Sequence, residues 1–280
     1  MRFMLYAIFA AGLLLPAGCN SLIVSPVAYW ERTSLFQPAR YPAGEWSQTT
    51  VLVHDASFTA DDGTRLHGWY VRHPQPKAHA LVLHGNAGNV TLLADSLRLL
   101  NHRHGVSALA LDYRGYGRSE GAPTEAGILQ DARAARRWLA EKEGIAEADV
   151  LLMGQSLGGG VAIDLAATDG CRGLVVAGTF TSIPAVAQHH VRWLPMHWLL
   201  STQMDSLRKI KNYSGPLLLA HGDADEVIPY QQGLDLFHAA PGPKRMITSP
   251  GGKHNDPLPD EYRQALDEFI ATLTPLQSRS

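Results

Sequence analysis

From about residue 50 onward, short apolar segments alternate with longer amphipathic stretches, and this alternation constrains the fold more than any other feature. The apolar segments predict strands at Val51–Phe58, Leu66–Arg72, Ala80–Leu83, Ala108–Tyr113, Val150–Met153, Leu174–Ala177, Leu217–Ala220 and Arg245–Thr248. The stretches between them predict helices at Val90–Asn101, Thr124–Glu143, Leu157–Ala167, Tyr230–Ala239 and Asp260–Leu273. Alternation of this kind indicates an α/β fold with a mostly parallel, doubly wound sheet that helices cover on both faces.

The first two predicted strands are separated by the turn Asp61-Asp62-Gly63, so we expect them to form an antiparallel hairpin at the N-terminal end of the domain. In an open parallel sheet, ligands bind beyond the carboxyl ends of the strands. The segments that follow the strands are therefore where functional residues are expected.

A chain of 280 residues with 45% hydrophobic content is long enough for one large domain, which we expect to span residues 50–280. The net charge is −2, and Lys and Arg are spread evenly along the chain, so there is no basic stripe to neutralise phosphates. This argues against nucleic acid as a partner. We expect a monomer that acts on a small-molecule or acylated substrate.

One connection is longer than the others. Residues 181–214, which lie between the predicted strands at Leu174–Ala177 and Leu217–Ala220, predict a small helical cap over the strand ends. Ordinary packing of these helices is the alternative. The aromatic and leucine side chains of Trp193 and Leu194 and of residues 198–200 suggest a surface for an apolar acyl chain.

The N-terminal residues differ from the rest of the chain. The apolar run Phe3–Leu15 follows Arg2 and precedes Ala17-Gly18-Cys19, which resembles a bacterial lipoprotein signal and predicts a signal peptide at residues 1–18 with lipidation at Cys19. An uncleaved apolar anchor is the alternative. Residues 19–49 then read as a tether that packs in part on the domain, and the protein is expected in the cell envelope, held to a membrane on its extracytoplasmic side.

The motif Gly-x-Ser-x-Gly occurs twice, around Ser119 and around Ser156. A nucleophilic serine needs a strand, a sharp turn and a helix, because that geometry exposes its hydroxyl at a helix N-terminus. Ser156 lies between the predicted strand Val150–Met153 and the predicted helix Leu157–Ala167, whereas Gly121-Ala122-Pro123 follows Ser119. We therefore predict that Ser156 is the nucleophile and that Ser119 is a loop residue.

Candidates for the acid and the base follow the serine in chain order. His254 comes directly after the last predicted strand, and Asp225 comes directly after the one before it. An imidazole removes the serine proton, and a carboxylate orients that imidazole and stabilises its charged form. On spacing alone, Asp223 and Asp256 remain rival acids.

The oxyanion hole is expected to combine the backbone N–H of Leu157 with that of Asn86, in the loop after Ala80–Leu83. In this scheme His84 and His221 fix loops by hydrogen bonds. A metal site formed by His189, His190 and His197 is the weaker hypothesis, because no acidic or cysteine ligand accompanies them at zinc spacing. We expect no cofactor.

Six segments occur in the order typical of one superfamily: Asp62–Trp69, His84–Asn89, Asp112–Ser119, the Ser156 turn, His221–Asp225 and Gly252–Asp256. From about residue 50 to its end, the chain resembles the α/β-hydrolase superfamily, and it is most similar to the branch of membrane-associated depalmitoylases and serine-aminopeptidase-like hydrolases. The resemblance implies a triad of Ser156, Asp225 and His254, and it favours Asp225 over Asp223. It also implies that Asp112 and Arg114 brace the loops near the nucleophile.

The predicted activity is hydrolysis of carboxylic esters or thioesters through an acyl-serine intermediate. A serine peptidase that resembles an aminopeptidase is the nearest alternative, since relatives with the same triad cleave peptides. A non-catalytic envelope lipoprotein that uses the fold for binding is the other alternative.

Overall fold

A computed structural model describes residues 35–47 and 53–273. The predicted signal peptide at residues 1–18, the lipidation site Cys19 and most of the predicted tether lie outside these ranges. Among the described residues, no helix is both long enough and apolar enough to cross a membrane.

The structure confirms the α/β fold with a mostly parallel central sheet. The strands are β1 (Gln37–Pro38), β2 (His54–Thr59), β3 (Arg65–Val71), β4 (Ala78–Leu83), β5 (Ala87–Gly88), β6 (Val106–Asp112), β7 (Leu151–Gln155), β8 (Gly173–Ala177), β9 (Leu217–Gly222) and β10 (Lys244–Ser249). The α-helices are α1 (Ala94–His102), α2 (Glu125–Glu143), α3 (Leu157–Asp169), α4 (Ile183–His190), α5 (Met196–Leu199), α6 (Ser206–Ile210), α7 (Tyr230–Ala239) and α8 (Asp260–Thr272).

The main sheet of the described chain has eight strands in the order β10-β9-β8-β7-β4-β6-β3-β2. β2 and β3 form the expected antiparallel hairpin, β3 is antiparallel to β6, and every other pair is parallel. The chain passes from β4 to β6 on one side of β4 and later returns as β7 on the other side. The gap above β4 and β7 is therefore a topological switch point, where α/β sheets of this kind bind ligands.

The sheet is buried because its strands are apolar on both faces. All six residues of β4 and all seven of β6 are buried, as expected for parallel strands between two layers of helices. One apolar cluster packs the sheet against α2 and α3, and a second packs the opposite face against α1 and α8.

Helix α2 has clear signals at both ends. The Thr124 side chain accepts a hydrogen bond from the N–H of Gly127, and Gly144 ends the helix at a left-handed φ of 66°. The segment predicted as one helix at Val90–Asn101 is instead a 3-10 turn at Val90–Leu93 followed by α1. Asn89 caps that turn by accepting a hydrogen bond from the N–H of Thr91, which starts the chain in the tighter conformation.

Ordered structure already includes residues 35–47, which lie before the expected domain start at Thr50. We call this segment the N-terminal strap. It forms β1, whose Gln37 and Pro38 pair with Ala87 and Gly88 of β5. Phe36 of the strap is buried in the larger core, so the strap is part of the domain.

The long connection that was predicted as a cap contains the short helices α4, α5 and α6. It packs on the core through buried Ile183, Met196 and Leu200, while Trp193 and Trp198 are 68% and 80% exposed. Its histidines form no metal centre: in the described ranges, no group of three or more His, Cys, Asp or Glu side chains is arranged to hold a metal ion.

Candidate active site

Ser156 occupies a strained turn between β7 and α3. Its φ of 53° is a left-handed value that residues with a side chain rarely adopt. Ser156 is also the N-cap residue of α3. Two close backbone approaches make this turn possible only with glycine. A Cβ on Gly154 would lie 2.2 Å from the carbonyl oxygen of Gly158, and a Cβ on Gly158 would lie 2.1 Å from that of Leu83.

A continuous series of hydrogen bonds runs from Ser156 through His254 to Asp225. The Oγ atom of Ser156 lies 3.1 Å from Nε2 of His254, and Nδ1 of the same ring lies 2.7 Å from Oδ2 of Asp225. His254 lies in the loop after β10, and Asp225 lies in the loop after β9. The two side chains are 10% and 1% exposed, so the series is shielded from most of the solvent.

Asp225 is held as a carboxylate by several donors. Its Oδ1 accepts hydrogen bonds of 2.8 Å from the N–H groups of Val227 and Ile228, and its Oδ2 lies 3.3 Å from Nε2 of His221. Burial raises the pKa of Asp225, but hydrogen bonds from His221, His254 and Ile228 outweigh burial and bring the pKa well below its ordinary value. The group that faces His254 is therefore negatively charged at neutral pH.

The rival aspartates hydrogen-bond elsewhere. Asp223 is exposed, and its Oδ1 accepts a hydrogen bond of 2.6 Å from the N–H of Gly251. Asp256 is also exposed, and it accepts a hydrogen bond of 2.9 Å from the N–H of Lys253. Asp223 thus stabilises the loop that carries Asp225, and Asp256 stabilises the loop that carries His254. Neither is the hydrogen-bond partner of His254.

Ser119, the serine of the second Gly-x-Ser-x-Gly motif, is 4% exposed. Its hydroxyl donates to the carbonyl oxygen of Asp112 at 2.6 Å and accepts from the N–H of His67 at 2.9 Å. Because the Ser119 hydroxyl both donates to and accepts from the backbone, it stabilises the loop in which it lies.

The loop after β4 lies next to the serine. A Cβ on Gly85 would be 3.6 Å from Cβ of Ser156, so Asn86 begins close to the nucleophile. Within the described ranges, the N–H groups of Asn86 and Leu157 have no acceptor. Two free N–H groups that flank a serine hydroxyl, one of them at a helix N-terminus, are what an oxyanion requires.

Residues that sequence reasoning did not assign to the site hold this loop in place. Tyr113 donates to the carbonyl oxygen of His84 at 3.1 Å, and Tyr116 donates to that of Asn86 at 2.8 Å. Gln37 of the strap also donates to the Asn86 carbonyl, at 2.9 Å. Both tyrosines lie within the segment Asp112–Ser119, but nothing in the sequence indicates which carbonyls they bind.

His84 packs between the two tyrosines, with ring centroids 4.6 Å and 5.1 Å away. Its Nδ1 hydrogen-bonds the carbonyl oxygen of Gly85 at 2.7 Å, and burial lowers its pKa, so the ring is neutral. His221 donates from Nε2 to the carbonyl oxygen of Ile228 at 2.9 Å. Both histidines make the loop-fixing hydrogen bonds expected of them.

Asp112 and Arg114 brace neighbouring loops. Asp112 accepts from the N–H of Val90 at 2.9 Å and from Nδ1 of His67 at 2.8 Å. Arg114 forms paired hydrogen bonds with the fully buried Asp131 and a further one of 2.7 Å with Asp62. Paired guanidinium–carboxylate contacts are directional, so they fix the start of the loop that contains Tyr116.

The fold and this site together define an α/β hydrolase. The family described as "Serine aminopeptidase, S33" matches residues 74–208. The "Uncharacterized protein Rv2307c" of Mycobacterium tuberculosis is 35% identical over 246 residues, which cover 87% of each chain. YfhR of Escherichia coli K12 is 34% identical over 82% of this chain and 83% of its own. The protein bem46 of Schizosaccharomyces pombe is 30% identical over 91% of this chain and 92% of its own. The chain belongs to this family of α/β hydrolases.

Solved structures share the fold at low sequence identity. The esterase Pf2001 of Pyrococcus furiosus superposes with a TM-score of 0.69 at 19% identity, over 85% of this chain and 98% of its own. Est1E of Butyrivibrio proteoclasticus, solved with ferulic acid bound, has a TM-score of 0.65 at 20% identity, over 78% of this chain and 99% of its own. At these identities the two structures show a shared fold, and it is the family match that supports hydrolase activity for this chain.

Proposed function

We propose that this protein is a serine hydrolase that cleaves carboxylic esters or thioesters through an acyl intermediate on Ser156. The observation that carries the proposal is the hydrogen-bond series from Ser156 Oγ through His254 to Asp225. A serine hydroxyl is a weak nucleophile at neutral pH until a base takes its proton. Nε2 of His254 is within reach of that proton, and the Nδ1–H of the same ring donates to the carboxylate of Asp225.

In the first half of the proposed reaction, Ser156 Oγ attacks the carbonyl carbon of the substrate while its proton moves to Nε2 of His254. The carbonyl π electrons move onto oxygen, and that oxyanion accepts hydrogen bonds from the N–H groups of Asn86 and Leu157. Collapse of the intermediate breaks the bond to the leaving oxygen or sulfur, which takes the proton from Nε2. An acyl ester of Ser156 remains.

In the second half, water attacks the acyl carbon and gives its proton to Nε2 of His254. The second oxyanion forms in the same place, and its collapse releases the carboxylic acid and returns the proton to Ser156 Oγ. Asp225 stays ionised throughout, which matches its lowered pKa, and it stabilises the imidazolium that forms in each half. No step in this scheme requires a cofactor.

Ester bonds are favoured as the substrate because the structural neighbour Pf2001 is named as an esterase. The family description names an aminopeptidase, so cleavage of an aminoacyl amide is the second candidate. A peptidase of that kind needs a polar group that recognises the free amino terminus of its substrate. Comparing esters, thioesters and aminoacyl amides that carry the same acyl group will rank these activities.

A lipid anchor at Cys19 is part of the same proposal, supported only by the apolar run and the Ala17-Gly18-Cys19 sequence. Such an anchor would hold the enzyme at the extracytoplasmic face of a membrane, close to acylated substrates. We expect metabolically incorporated fatty acid to be lost in Cys19→Ala. Equal labelling of Cys19→Ala and wild type would contradict lipidation at this cysteine.

The proposed chemistry is tested by trapping the intermediate. Rapid quenching of the full-length enzyme with p-nitrophenyl acetate should show a burst of p-nitrophenol and a protein mass increased by one acetyl group, located by peptide mapping at Ser156. Ser156→Ala should show neither. An acetyl group mapped to another residue, with the burst retained in Ser156→Ala, would refute the proposal.

A further inference from the structure

A trench runs between α1 and α8 on the face of the sheet opposite α2 and α3. One side is the stripe Leu93, Ser96 and Leu100 of the 3-10 turn and α1, which are spaced to share one face of the helix. The other side is the stripe Tyr262 and Leu266 of α8. We call this the α1–α8 trench.

The floor of the trench is the sheet itself. Val82 of β4, Met153 of β7 and Val175 of β8 line it, so the bottom is apolar, as are the leucines of both walls. The trench encloses about 490 Å³, which is within the range of roughly 300–1,000 Å³ that is usual for small-molecule sites. It is therefore large enough for an extended hydrocarbon chain.

The two ends of the trench differ. Its upper end reaches His254 and Asp225 of the candidate triad, and Gln155, the residue before Ser156, also lines it. Its lower end is bridged by a hydrogen bond of 2.6 Å between His104, which follows α1, and Asp267 of α8. A chain that enters beside His254 would thus run down the face of the sheet toward a closed end.

Exposed leucines give a second, independent indication. Leu92 and Leu99 are 68% and 37% exposed, and both line the trench. Large apolar side chains left open to water beside a concavity are typical of a binding site. In contrast, no residue of the predicted cap is among those that line the trench, although Trp193 and Trp198 had suggested an apolar surface there.

We propose that the α1–α8 trench binds a hydrocarbon chain of the substrate, with the scissile bond at Ser156 and the chain lying past His254. This inference rests on the proposed function and specifies its substrate class as esters or thioesters with a long apolar chain. The chain belongs either to the acyl group or to the leaving group. Both have the same chemistry, and the experiment below distinguishes them.

The kinetic test uses Ser96→Trp, which places an indole in the trench from an exposed position. The ratio of kcat/KM for p-nitrophenyl dodecanoate to that for p-nitrophenyl acetate should fall about tenfold or more, the effect of losing roughly two buried methylenes. A second pair, dodecyl acetate and ethyl acetate, places the long chain on the leaving group. Gln264→Trp is the matched control, because Gln264 is exposed on α8 and does not line the trench.

A fall in either ratio supports the trench, and the pair that responds identifies which side of the ester the chain occupies. Gln264→Trp should leave both ratios unchanged. If Ser96→Trp also leaves both unchanged while wild type hydrolyses the esters, the trench proposal is overturned and the proposed function stands.

A binding measurement separates the trench from catalysis. Ser156→Ala should bind 11-(dansylamino)undecanoic acid with saturable fluorescence enhancement, and Ser96→Trp in the same background should bind it about tenfold more weakly. If wild type hydrolyses no ester but this difference is seen, the proposed function fails and the trench remains a chain-binding site. Equal binding by the two proteins overturns the trench proposal.

Discussion

The phenolic hydroxyl of Tyr116 donates a hydrogen bond of 2.8 Å to the carbonyl oxygen of Asn86. Tyr113 makes the corresponding contact with the carbonyl oxygen of His84, so the two tyrosines hold the carbonyl groups of the residues on either side of Gly85. Both side chains are fully buried, and burial raises the pKa of each hydroxyl above its ordinary value. The hydroxyls therefore remain protonated donors at neutral pH.

Tyr116→Phe tests whether this contact positions the Asn86 N–H for catalysis. Removing a whole oxyanion donor costs about 10²–10³ in kcat, and because Tyr116 acts through Asn86 we expect a loss of about tenfold with KM nearly unchanged. A trifluoromethyl ketone, which binds serine hydrolases as an oxyanion, should lose affinity by a similar factor. Steady-state kinetics and inhibition constants measure both effects.

Tyr213→Phe is the matched control for Tyr116→Phe. Tyr213 is also buried, and its hydroxyl donates at 2.9 Å to a backbone carbonyl, that of Pro216, away from the candidate site. Loss of either hydroxyl leaves the carbonyl with one backbone donor, the N–H of Gln37 for Asn86 and that of Leu174 for Pro216, so the two variants should be destabilised alike. Equal ketone affinity in both variants would mean that Tyr116 is structural only.

Asp225→Asn should lower kcat by about 10⁴, because the amide favours the wrong tautomer of His254 and cannot stabilise its charged form. Asp223→Asn should cost less than about tenfold, since Asp223 braces a loop through the N–H of Gly251. Rate measurements at saturating substrate compare the two. A larger loss in Asp223→Asn than in Asp225→Asn would reverse the assignment of the acid.

The lowered pKa of Asp225 also predicts how stability depends on pH. Its folded pKa lies below the unfolded value of about 3.9, so the unfolded state binds the proton more readily. The stabilisation from Asp225 is therefore complete above pH 5 and is lost as pH falls below about 4 toward the folded pKa. The difference in free energy of unfolding between wild type and Asp225→Asn, measured by denaturant titration, should shrink as the pH falls below 4.

If that difference instead grew as the pH fell below 4, the carboxyl would bind its proton more readily in the folded protein, and the proposed role of Asp225 would fail. Asp223→Asn is a suitable control, because Asp223 is exposed and hydrogen-bonds the N–H of Gly251 instead of His254.

Arg118 attaches the N-terminal strap to the domain. Its guanidinium lies 4.7 Å from the ring centre of Tyr41 and 4.6 Å from that of Trp46, and it hydrogen-bonds Asp55 at 2.8 Å. We expect Arg118→Ala to lower the free energy of unfolding by about 1–2 kcal/mol, from two cation–π contacts of about 0.5–1 kcal/mol each. Limited proteolysis should then cut within residues 35–47 faster than in wild type, and an unchanged cutting rate would contradict this attachment.

Local signals in the sequence predicted the sheet and the Ser156 turn well. Helix Tyr230–Ala239 was predicted with its observed ends, and β9 begins at Leu217 as expected, because apolar periodicity and flanking turn residues are local features. The two Gly-x-Ser-x-Gly motifs could be ranked for the same reason: Ser156 was predicted between a strand and a helix, and Ser119 was not.

Features that depend on distant pairing could not be predicted. The pairing of Gln37 and Pro38 with Ala87 and Gly88 joins segments about fifty residues apart, and a two-residue strand has no periodicity. The α1–α8 trench depends on the distance between two helices that are far apart in sequence. The choice among Asp223, Asp225 and Asp256 by spacing alone also remained open, because loop conformation decides which carboxylate faces His254.

The most direct test of the account is covalent labelling by a fluorophosphonate probe, which reacts with an activated serine. Wild type and Ser119→Ala should be labelled on one residue, Ser156, and Ser156→Ala should not be labelled although it remains folded. Labelling that persists in Ser156→Ala and disappears in Ser119→Ala would contradict the assignment of Ser156 as the nucleophile.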